Sequence, residues 1–263
     1  MMRFCSLYSG SSGNSLYIES SNSKILIDAG VSGKKIIEGL ASVGTSPDEI
    51  DAVLVTHEHS DHISSIGLLS KKYNIPVYAS TLTWNQIGEQ SVKMNPSNRM
   101  TFEVDKLFSI GNLDIMPFKI PHDAIEPCGF SIFGEGKKIT IATDIGHINS
   151  YLYENMEESD LLLLESNHDI EMLRCGQYPW FLKRRILSES GHLCNEDASQ
   201  AIANLVTSGM KKFFLGHLSR ENNFPELALQ TVSNGLNEIG ITVGLDVFLE
   251  VAPRTTQSTV LTL

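Results

Sequence analysis

The side chains best suited to chemistry lie in one short segment, residues 56–62, with the sequence Thr-His-Glu-His-Ser-Asp-His. His57 and His59 are two positions apart, so both can project from the same side of an extended segment. Asp61 and His62 follow at once. Imidazole and carboxylate ligands together suit zinc, manganese or iron. One ion cannot easily take all four ligands from so short a turn, so the segment predicts two adjacent metal ions.

The neighbouring elements are predicted to hold this segment in place. The apolar run 52–55 predicts a buried strand before it, and the apolar spacing of 63–73 predicts one short helix after it. Alternation and the Gly111-Asn112 turn predict a hairpin of strands 100–110 and 113–120. The tail from residue 255 is expected to be frayed. Loop positions held by rigid elements are where chemistry usually lies.

Other polar residues follow predicted strands. They are Asp28 after strand 24–27, His122 after 113–120, Asp144 after 137–142, Glu165 after 160–164 and His217 after 212–215. His192 precedes a predicted helix that runs to about residue 207. The loop 9–15 is rich in turn formers, which favours a simple hairpin turn over an anion-binding nest of backbone N–H groups.

Composition limits the class of protein. The 263 residues carry a net charge of −11, with 41% hydrophobic and 19% charged residues. These values are ordinary for a globular protein, and without a long linker they predict a single domain over residues 1–263. The negative charge argues against broad nonspecific adhesion to nucleic acid, although it is compatible with a local basic site.

Targeting and redox signals are weak. No apolar stretch is long enough to span a bilayer, and the N-terminal residues lack an apolar signal region. The cysteines show no C-x-x-C spacing, which argues against a disulfide framework or a structural zinc site. We therefore expect a cytoplasmic protein that does not engage membranes.

The pattern of residues 57–62 resembles the H-x-H-x-D-H motif of the metallo-β-lactamase superfamily of binuclear metal hydrolases. The resemblance implies an α/β fold, the four-layer αββα sandwich, with two facing mixed sheets, outer helices and metals at one end of the sheets. The implied ligands are His57, His59 and His122 for one metal, Asp61, His62 and His217 for the other, and Asp144 as a bridge. Asp28 is expected to support the turn rather than bind metal. His147 matches no motif and is expected to be structural.

Such a centre predicts hydrolysis by a metal-activated water, with Asp61 as the candidate general base. Amides, thioesters, lactones and phosphodiesters all suit this chemistry. Residues other than the metal ligands must therefore decide which of these substrates is cleaved. Glu165 and His192 resemble the pair that donates a proton to the leaving oxygen in the transfer-RNA processing nuclease RNase Z. A Glu that keeps a His charged suits that task. The alternative is a buried salt bridge and a helix-capping His.

Residues 174–192 are locally basic, with Arg174, Lys183, Arg184 and Arg185 against Glu189. Cations suit phosphate contacts. Tyr178, Trp180 and Phe181 interleave with these charges, and aromatics beside cations can stack unpaired bases. The alternative is an amphipathic helix with its apolar residues in the core. For the aromatics alone, that alternative is favoured.

The resemblance narrows to the bacterial WalJ/YycJ-like subfamily over nearly the whole chain. The matching segments are residues 9–15, 165–169, 178–179, 191–195 and 216–223. It implies a metal-dependent DNA exonuclease of the 5′-to-3′ type. Cys194 departs from the pattern, since a small hydroxyl residue is common there. The chain lacks the β-CASP insertion and the flexible arm of RNase Z, which disfavours transfer-RNA maturation.

Three functions remain open. The leading interpretation is a binuclear metallo-nuclease that acts on DNA. The second is a hydrolase of a small ester, thioester, lactone or cyclic phosphodiester, which the acidic surface also allows. The third is a regulatory binding protein, which so complete a ligand set disfavours. The expected cofactor is two divalent ions per chain, zinc or manganese with iron as an alternative, while the sequence leaves the digestion polarity and oligomeric state open.

Overall fold

A computed structural model describes residues 1–263. Its contacts define two compact units. The first comprises Met1–Lys119, Ala124–Lys137 and Pro253–Leu263, and the second Ile120–Asp123 and Lys138–Ala252. The single domain expected from the sequence stays a prediction. None of the helices combines the length and apolar character that a membrane crossing requires.

The chain alternates strands and helices along its length. The strands are β1 (Arg3–Tyr8), β2 (Ser15–Glu19), β3 (Lys24–Ile27), β4 (Ala52–Leu54), β5 (Val77–Ser80), β6 (Arg99–Phe102), β7 (Phe108–Ile110), β8 (Leu113–Lys119), β9 (Cys128–Gly134), β10 (Lys137–Ala142), β11 (Leu161–Glu165), β12 (Lys212–Gly216), β13 (Phe248–Val251) and β14 (Leu261–Thr262). The helices are α1 (Gly33–Ser42), α2 (Ser60–Ile63), α3 (Ile66–Tyr73), α4 (Thr81–Gln86), α5 (Glu89–Val92), α6 (Ser150–Met156), α7 (Ile170–Cys175), α8 (Trp180–Ile186), α9 (Asn195–Thr207) and α10 (Pro225–Glu238).

The first unit is built on a mixed sheet with the strand order β14-β1-β2-β3-β4-β5-β6. The strands from β14 to β3 pair antiparallel, and those from β3 to β6 pair parallel. Helix α1 packs its buried face, including Ile36 and Leu40, into the core beneath this sheet. Strands β7, β8 and β9 of the same unit form an antiparallel meander. The sheet therefore brings the end of β3 beside the end of β4.

The second unit contains the parallel pairs β10–β11, β11–β12 and β12–β13. Central strand β11 reads Leu161–Leu164 before Glu165 and is fully buried, as expected for a parallel strand covered on both faces. Helix α9 begins at a Cys194 cap, whose Sγ accepts from the Asp197 backbone N–H at 3.4 Å. Because carboxyl ends of parallel strands meet at one edge, residues that follow β10, β11 and β12 lie together.

The predicted long strand 100–110 is wrong. Residues 99–102 form β6, which pairs with β5, and 108–110 form β7, which pairs with β8. A turn separates them, in which Lys106 N–H donates to the Glu103 carbonyl at 3.2 Å and Asp105 has a left-handed φ of 63°. The turn contains neither glycine nor proline, so alternation of residue types continues across it.

Two further expectations are corrected. The helix predicted over 63–73 is broken into α2 and α3 at Ser64 and Ser65, because Ser65 N–H bonds to the Ala29 carbonyl and its hydroxyl to the Val31 carbonyl. The tail is not frayed. Strand β14 pairs with β1, and the buried Ser258 hydroxyl accepts from Ser6 N–H at 3.0 Å.

Candidate metal centre

The histidine turn, residues 56–62, connects β4 to α2 in the first unit. His57 and His62 are fully buried. The ring of His57 lies with its centroid 4.6 Å from that of His59 and 4.1 Å from that of His62. Three imidazoles therefore converge from one continuous segment, as the spacing of the motif predicts.

Asp28 organises this turn from the end of β3. Its carboxylate accepts from the Thr56 N–H and hydroxyl, both at 2.9 Å, and from His62 Nδ1 at 2.7 Å. The Thr56 hydroxyl uses its single proton on Asp28, so it must accept from His57 Nδ1, 3.0 Å away. One carboxylate thus places the proton on Nδ1 of both histidines, which leaves Nε2 as the ring atom with the lone pair.

Asn14 and Gly30, which the sequence reasoning did not single out, also shape the turn. Asn14 N–H donates to the Asp61 carbonyl at 2.9 Å, and Gly30 N–H to the Asn14 carbonyl at 2.8 Å. A Cβ on Gly30 would lie 1.6 Å from the Asp61 carbonyl oxygen, so only glycine permits this approach. The I-D-x-G sequence before the helix was the available signal for Gly30.

Two backbone N–H groups of the loop 9–15 donate within the loop itself. Gly13 N–H donates to the Gly10 carbonyl and Gly10 N–H to the Asn14 side chain, both at 2.9 Å. These contacts favour the hairpin-turn interpretation over the anion nest. The role of the loop is then to carry Asn14 to the histidine turn.

In the second unit, five side chains form a group that we call the strand-end cluster. They are His122, Asp144, Glu165, His192 and His217. Ligand atoms of the last four lie within 4.8 Å of one another. Residues separated by up to 95 positions in the sequence, since 217 − 122 = 95, are thus assembled by the ends of β8, β10, β11 and β12 and by the loop before α9.

Glu165 is the centre of this cluster and is fully buried. Its Oε1 accepts from Nδ1 of His192 at 2.8 Å and of His217 at 2.9 Å. Its Oε2 accepts from the N–H groups of Ile145 at 2.6 Å and Leu193 at 3.2 Å. Burial raises the pKa of Glu165, but the combined effect of the two histidines lowers it by more. The pKa of this carboxyl therefore lies well below its usual range. An ionised carboxylate only accepts, hence both histidines carry their proton on Nδ1.

The strand-end cluster fits a divalent cation. Nε2 of His122 and of His217 lie 3.7 and 3.5 Å from Asp144 Oδ1, which is too far for a hydrogen bond. Two ligands about 2.0 Å from one tetrahedral ion lie roughly 3.3 Å apart. Nδ1 of His122 donates to the Gly191 carbonyl at 3.0 Å, which again leaves Nε2 to face a metal. Imidazole and carboxylate donors in this arrangement suit zinc, manganese or iron.

Backbone strain coincides with the predicted site. Asp28, Asp144 and His217 have left-handed φ values of 61°, 59° and 55°. Such values are uncommon for residues with a side chain and concentrate at functional sites. Asn167 supports the strained His217, because its side-chain amide donates to the His217 carbonyl at 2.9 Å. The sequence reasoning missed Asn167, whose contact depends on the fold.

The remaining histidines take other roles. His147 Nδ1 donates to the Glu189 carbonyl at 2.8 Å, outside the strand-end cluster. His168 is fully buried, and burial lowers its pKa to about 4 despite the nearby carboxylate of Glu165. Within the strand-end cluster, burial likewise lowers the pKa of His122, although the Asp144 carboxylate opposes that shift.

The locally basic residues 174–192, which we call the basic insert, differ from the expected amphipathic helix. Lys183 is buried, and its ammonium donates to the carbonyls of Arg174 at 2.6 Å and Gly176 at 2.7 Å. Arg185 pairs with Asp123 at 2.8 Å. Trp180 and Phe181 are each 71% exposed. The favoured expectation that these aromatics lie in the core is therefore wrong.

Comparison with known proteins agrees with this geometry. A family model described as a beta-lactamase superfamily domain matches residues 23–217. The chain is 43% identical to exodeoxyribonuclease WalJ of Streptococcus pneumoniae, over 93% of this chain and 91% of that protein. It is 40% identical to exodeoxyribonuclease YycJ of Bacillus anthracis, over 92% of each.

Among solved structures, the metallo-β-lactamase fold protein YhfI of Bacillus subtilis matches with a TM-score of 0.71 at 16% identity, covering 98% of both chains. The α/β fold class of two mixed sheets with helices, expected from the sequence, is confirmed. The chain belongs to the β-lactamase superfamily, in its WalJ/YycJ-like branch, and is a metal-dependent hydrolase.

Proposed function

We propose that this chain is a binuclear metal-dependent phosphodiesterase that degrades DNA as a 5′-to-3′ exonuclease. The observation that carries the proposal is the Glu165–His192 pair, with Oε1 and Nδ1 2.8 Å apart. Its support from outside the chain is that relatives 40% and 43% identical are named exodeoxyribonucleases. DNA is thus the proposed substrate, and the cytoplasmic location stays a prediction.

The proposed cofactor is two divalent ions, zinc or manganese, per chain. The proposed ligands are His57, His59, Asp61, His62, His122, Asp144 and His217. When bound, such ions supply an acidified water and positive charge for the attacked phosphate. The Nδ1 contacts of His57, His62, His122 and His217 support this set, because each directs the lone pair to Nε2.

The residues around the phosphate have separate tasks. Asp61, whose side chain is 24% exposed, orients the attacking water and takes its proton. His192 keeps one proton on Nδ1 against Glu165, and in its charged form it carries the second on Nε2. The carboxylate fixes the orientation of the ring, so a proton carried on His192 Nε2 can pass to the departing oxygen. An alkoxide leaving group gains most from such an acid.

The test is degradation of end-labelled linear DNA by metal-stripped protein that has been reloaded with zinc or manganese. We expect stepwise loss of nucleotides from the 5′ end. His57→Ala is the control and should be inactive, because it removes a proposed ligand. A protein that binds two ions per chain and cleaves no DNA would contradict the proposal and favour hydrolysis of a small ester or thioester.

A further inference from the structure

Three residues of helix α8 depart from the burial expected of an amphipathic helix. Trp180 and Phe181 are 71% exposed, while Lys183 is 9% exposed and spends its donors on two backbone carbonyls. A helix that covers a core normally buries its large apolar residues and exposes its lysines. Two adjacent exposed aromatics are costly to keep in water. Their exposure therefore indicates a surface that binds a ligand.

The charges beside these aromatics indicate the chemistry of that ligand. Arg184 lies four residues after Trp180 and three after Phe181, so it shares a face with both. Arg184 is exposed, whereas Arg174 is paired with Glu171 and Arg185 with Asp123. An aromatic pair with an arginine is suited to stacked bases joined by phosphates. Arg184 is thus the cation of α8 that is both exposed and not paired with a carboxylate in these contacts.

Helix α8 is also attached directly to the strand-end cluster. His192 N–H donates to the Ile186 carbonyl at 3.0 Å. A Cβ on Gly191 would lie 2.1 Å from the same oxygen, so the loop lies tightly against the helix end. At a second contact, Arg185 near the end of α8 pairs with Asp123, the residue that follows His122. The helix end is thereby fixed to the proposed acid.

The length of α8 sets the distance to the aromatics. From Ile186 back to Trp180 the helix rises by about 9 Å. Stacked nucleotides are spaced by roughly 3.4 Å along one strand. The aromatic pair therefore lies about three nucleotides from the helix end that holds His192.

We propose that Trp180, Phe181 and Arg184 form a stacking platform for the bases of single-stranded DNA a few nucleotides from the cleaved bond. This inference rests on the proposed nuclease function and adds the substrate form and its subsite. The platform binds unpaired bases without sequence preference, because each base offers a flat face for stacking. It thereby makes affinity depend on the length of the single strand.

The first experiment uses the full-length metal-loaded enzyme with the double variant Trp180→Ala/Phe181→Ala. For oligothymidylates longer than a few nucleotides, we expect KM to rise about 5- to 100-fold with kcat unchanged. Cleavage of bis(p-nitrophenyl) phosphate should not change, because this small diester is too short to reach from the cleaved bond to the aromatic pair. Leu245→Ala is the control, since Leu245 is 85% exposed elsewhere in the same unit.

The second experiment measures binding without catalysis. Trp84 and Trp180 are the tryptophans of the chain, so Trp84→Phe leaves Trp180 as the fluorescent reporter. Oligothymidylate added to the metal-free Trp84→Phe protein should quench that fluorescence. A further Phe181→Ala substitution in the same protein should lower the affinity that this titration measures. Trp180→Phe in the parent should keep most of the affinity, because a ring is retained.

The outcomes separate the platform from the proposed function. Equal KM and binding for the double variant and its parent, with the parent degrading DNA, would overturn the platform alone. A parent that neither binds nor degrades DNA would overturn both. A double variant that loses self-association while its DNA binding is unchanged would assign the aromatics to a contact between copies and also overturn the platform. Unchanged thermal unfolding is expected for the Trp180→Ala/Phe181→Ala variant, since both rings are exposed.

Discussion

The histidine turn and the strand-end cluster collect similar side chains in opposite ways. The turn takes its ligand-type residues from one segment of seven residues, 56–62. The cluster takes its residues from four separate strand ends and one loop. Outside the turn, Asp28 holds His62 directly and His57 through the Thr56 hydroxyl. In the cluster, Glu165 lies at the centre and holds two histidines itself.

This difference indicates how a disturbance spreads in each region. The turn is also held by backbone contacts, including those of Asn14 and Gly30, so replacing one of its histidines should remove one ligand and leave the others in place. The strand-end cluster depends on one buried carboxylate with four donors. A change at Glu165 should therefore affect the proposed acid and a proposed ligand together.

The largest effect is expected for Glu165→Gln. The amide keeps a single acceptor oxygen, so some of the four donors lose their partner. We expect DNA cleavage to fall by about 10³-fold or more, since general-acid catalysis and ligand orientation are both impaired. Single-turnover cleavage and metal content are the measurements. Glu189→Gln makes the same charge change on an exposed side chain and should leave both unchanged, and parental activity in Glu165→Gln would refute the central role.

The next prediction separates the two regions by their readout. His192→Ala should lower cleavage by about 10²- to 10⁴-fold, as expected when a general acid is lost, and keep both ions. His59→Ala, in the histidine turn, should lose metal as well as activity. Metal analysis beside the cleavage rate distinguishes the two. If His192→Ala also loses metal, the assigned role of proton donor is wrong.

A smaller effect is expected for Asp28→Asn. The amide nitrogen cannot accept from Thr56 or His62, so the proton positions of two proposed ligands are no longer held. We expect metal affinity to fall by about 10- to 100-fold, measured by competition with a chelator. Asp48→Asn neutralises an exposed carboxylate of the same unit and should bind metal like the parent. Equal affinities would exclude Asp28 from orienting the ligands.

The smallest effect is expected on stability, for Gly30→Ala. The new methyl would overlap the Asp61 carbonyl, which should cost about 1–3 kcal/mol. Thermal unfolding should begin several degrees lower. Gly33→Ala is the matched control, because its Cβ would meet only the movable end of Leu68, 2.8 Å away. An unchanged melting temperature for Gly30→Ala would show that the close approach is dispensable.

Much of the fold was predictable because local pattern and final structure agree. The apolar run before residue 56, the buried leucines of β11 and the end of helix α9 at Thr207 all follow from spacing and composition. The prediction of one continuous strand over 100–110 was wrong because the turn at Asp105 uses ordinary residues in place of glycine or proline. The expectation of a frayed tail was wrong because strand β14 depends on pairing with β1. No local signal in the sequence encodes such a distant partner.

The sequence by itself determined the residue types of the site, since histidine and aspartate spacing after apolar strands restricts the chemistry to metal-assisted hydrolysis. It also determined the contiguous histidine turn, because neighbours in sequence remain neighbours in space. Only the tertiary structure decided that Glu165 serves His192 and His217 at once, and that Trp180 faces solvent while Lys183 is buried. The physical reason is that the buried Glu165 carboxylate and the buried Lys183 ammonium depend on hydrogen-bond partners elsewhere in the fold. Local periodicity does not specify those partners.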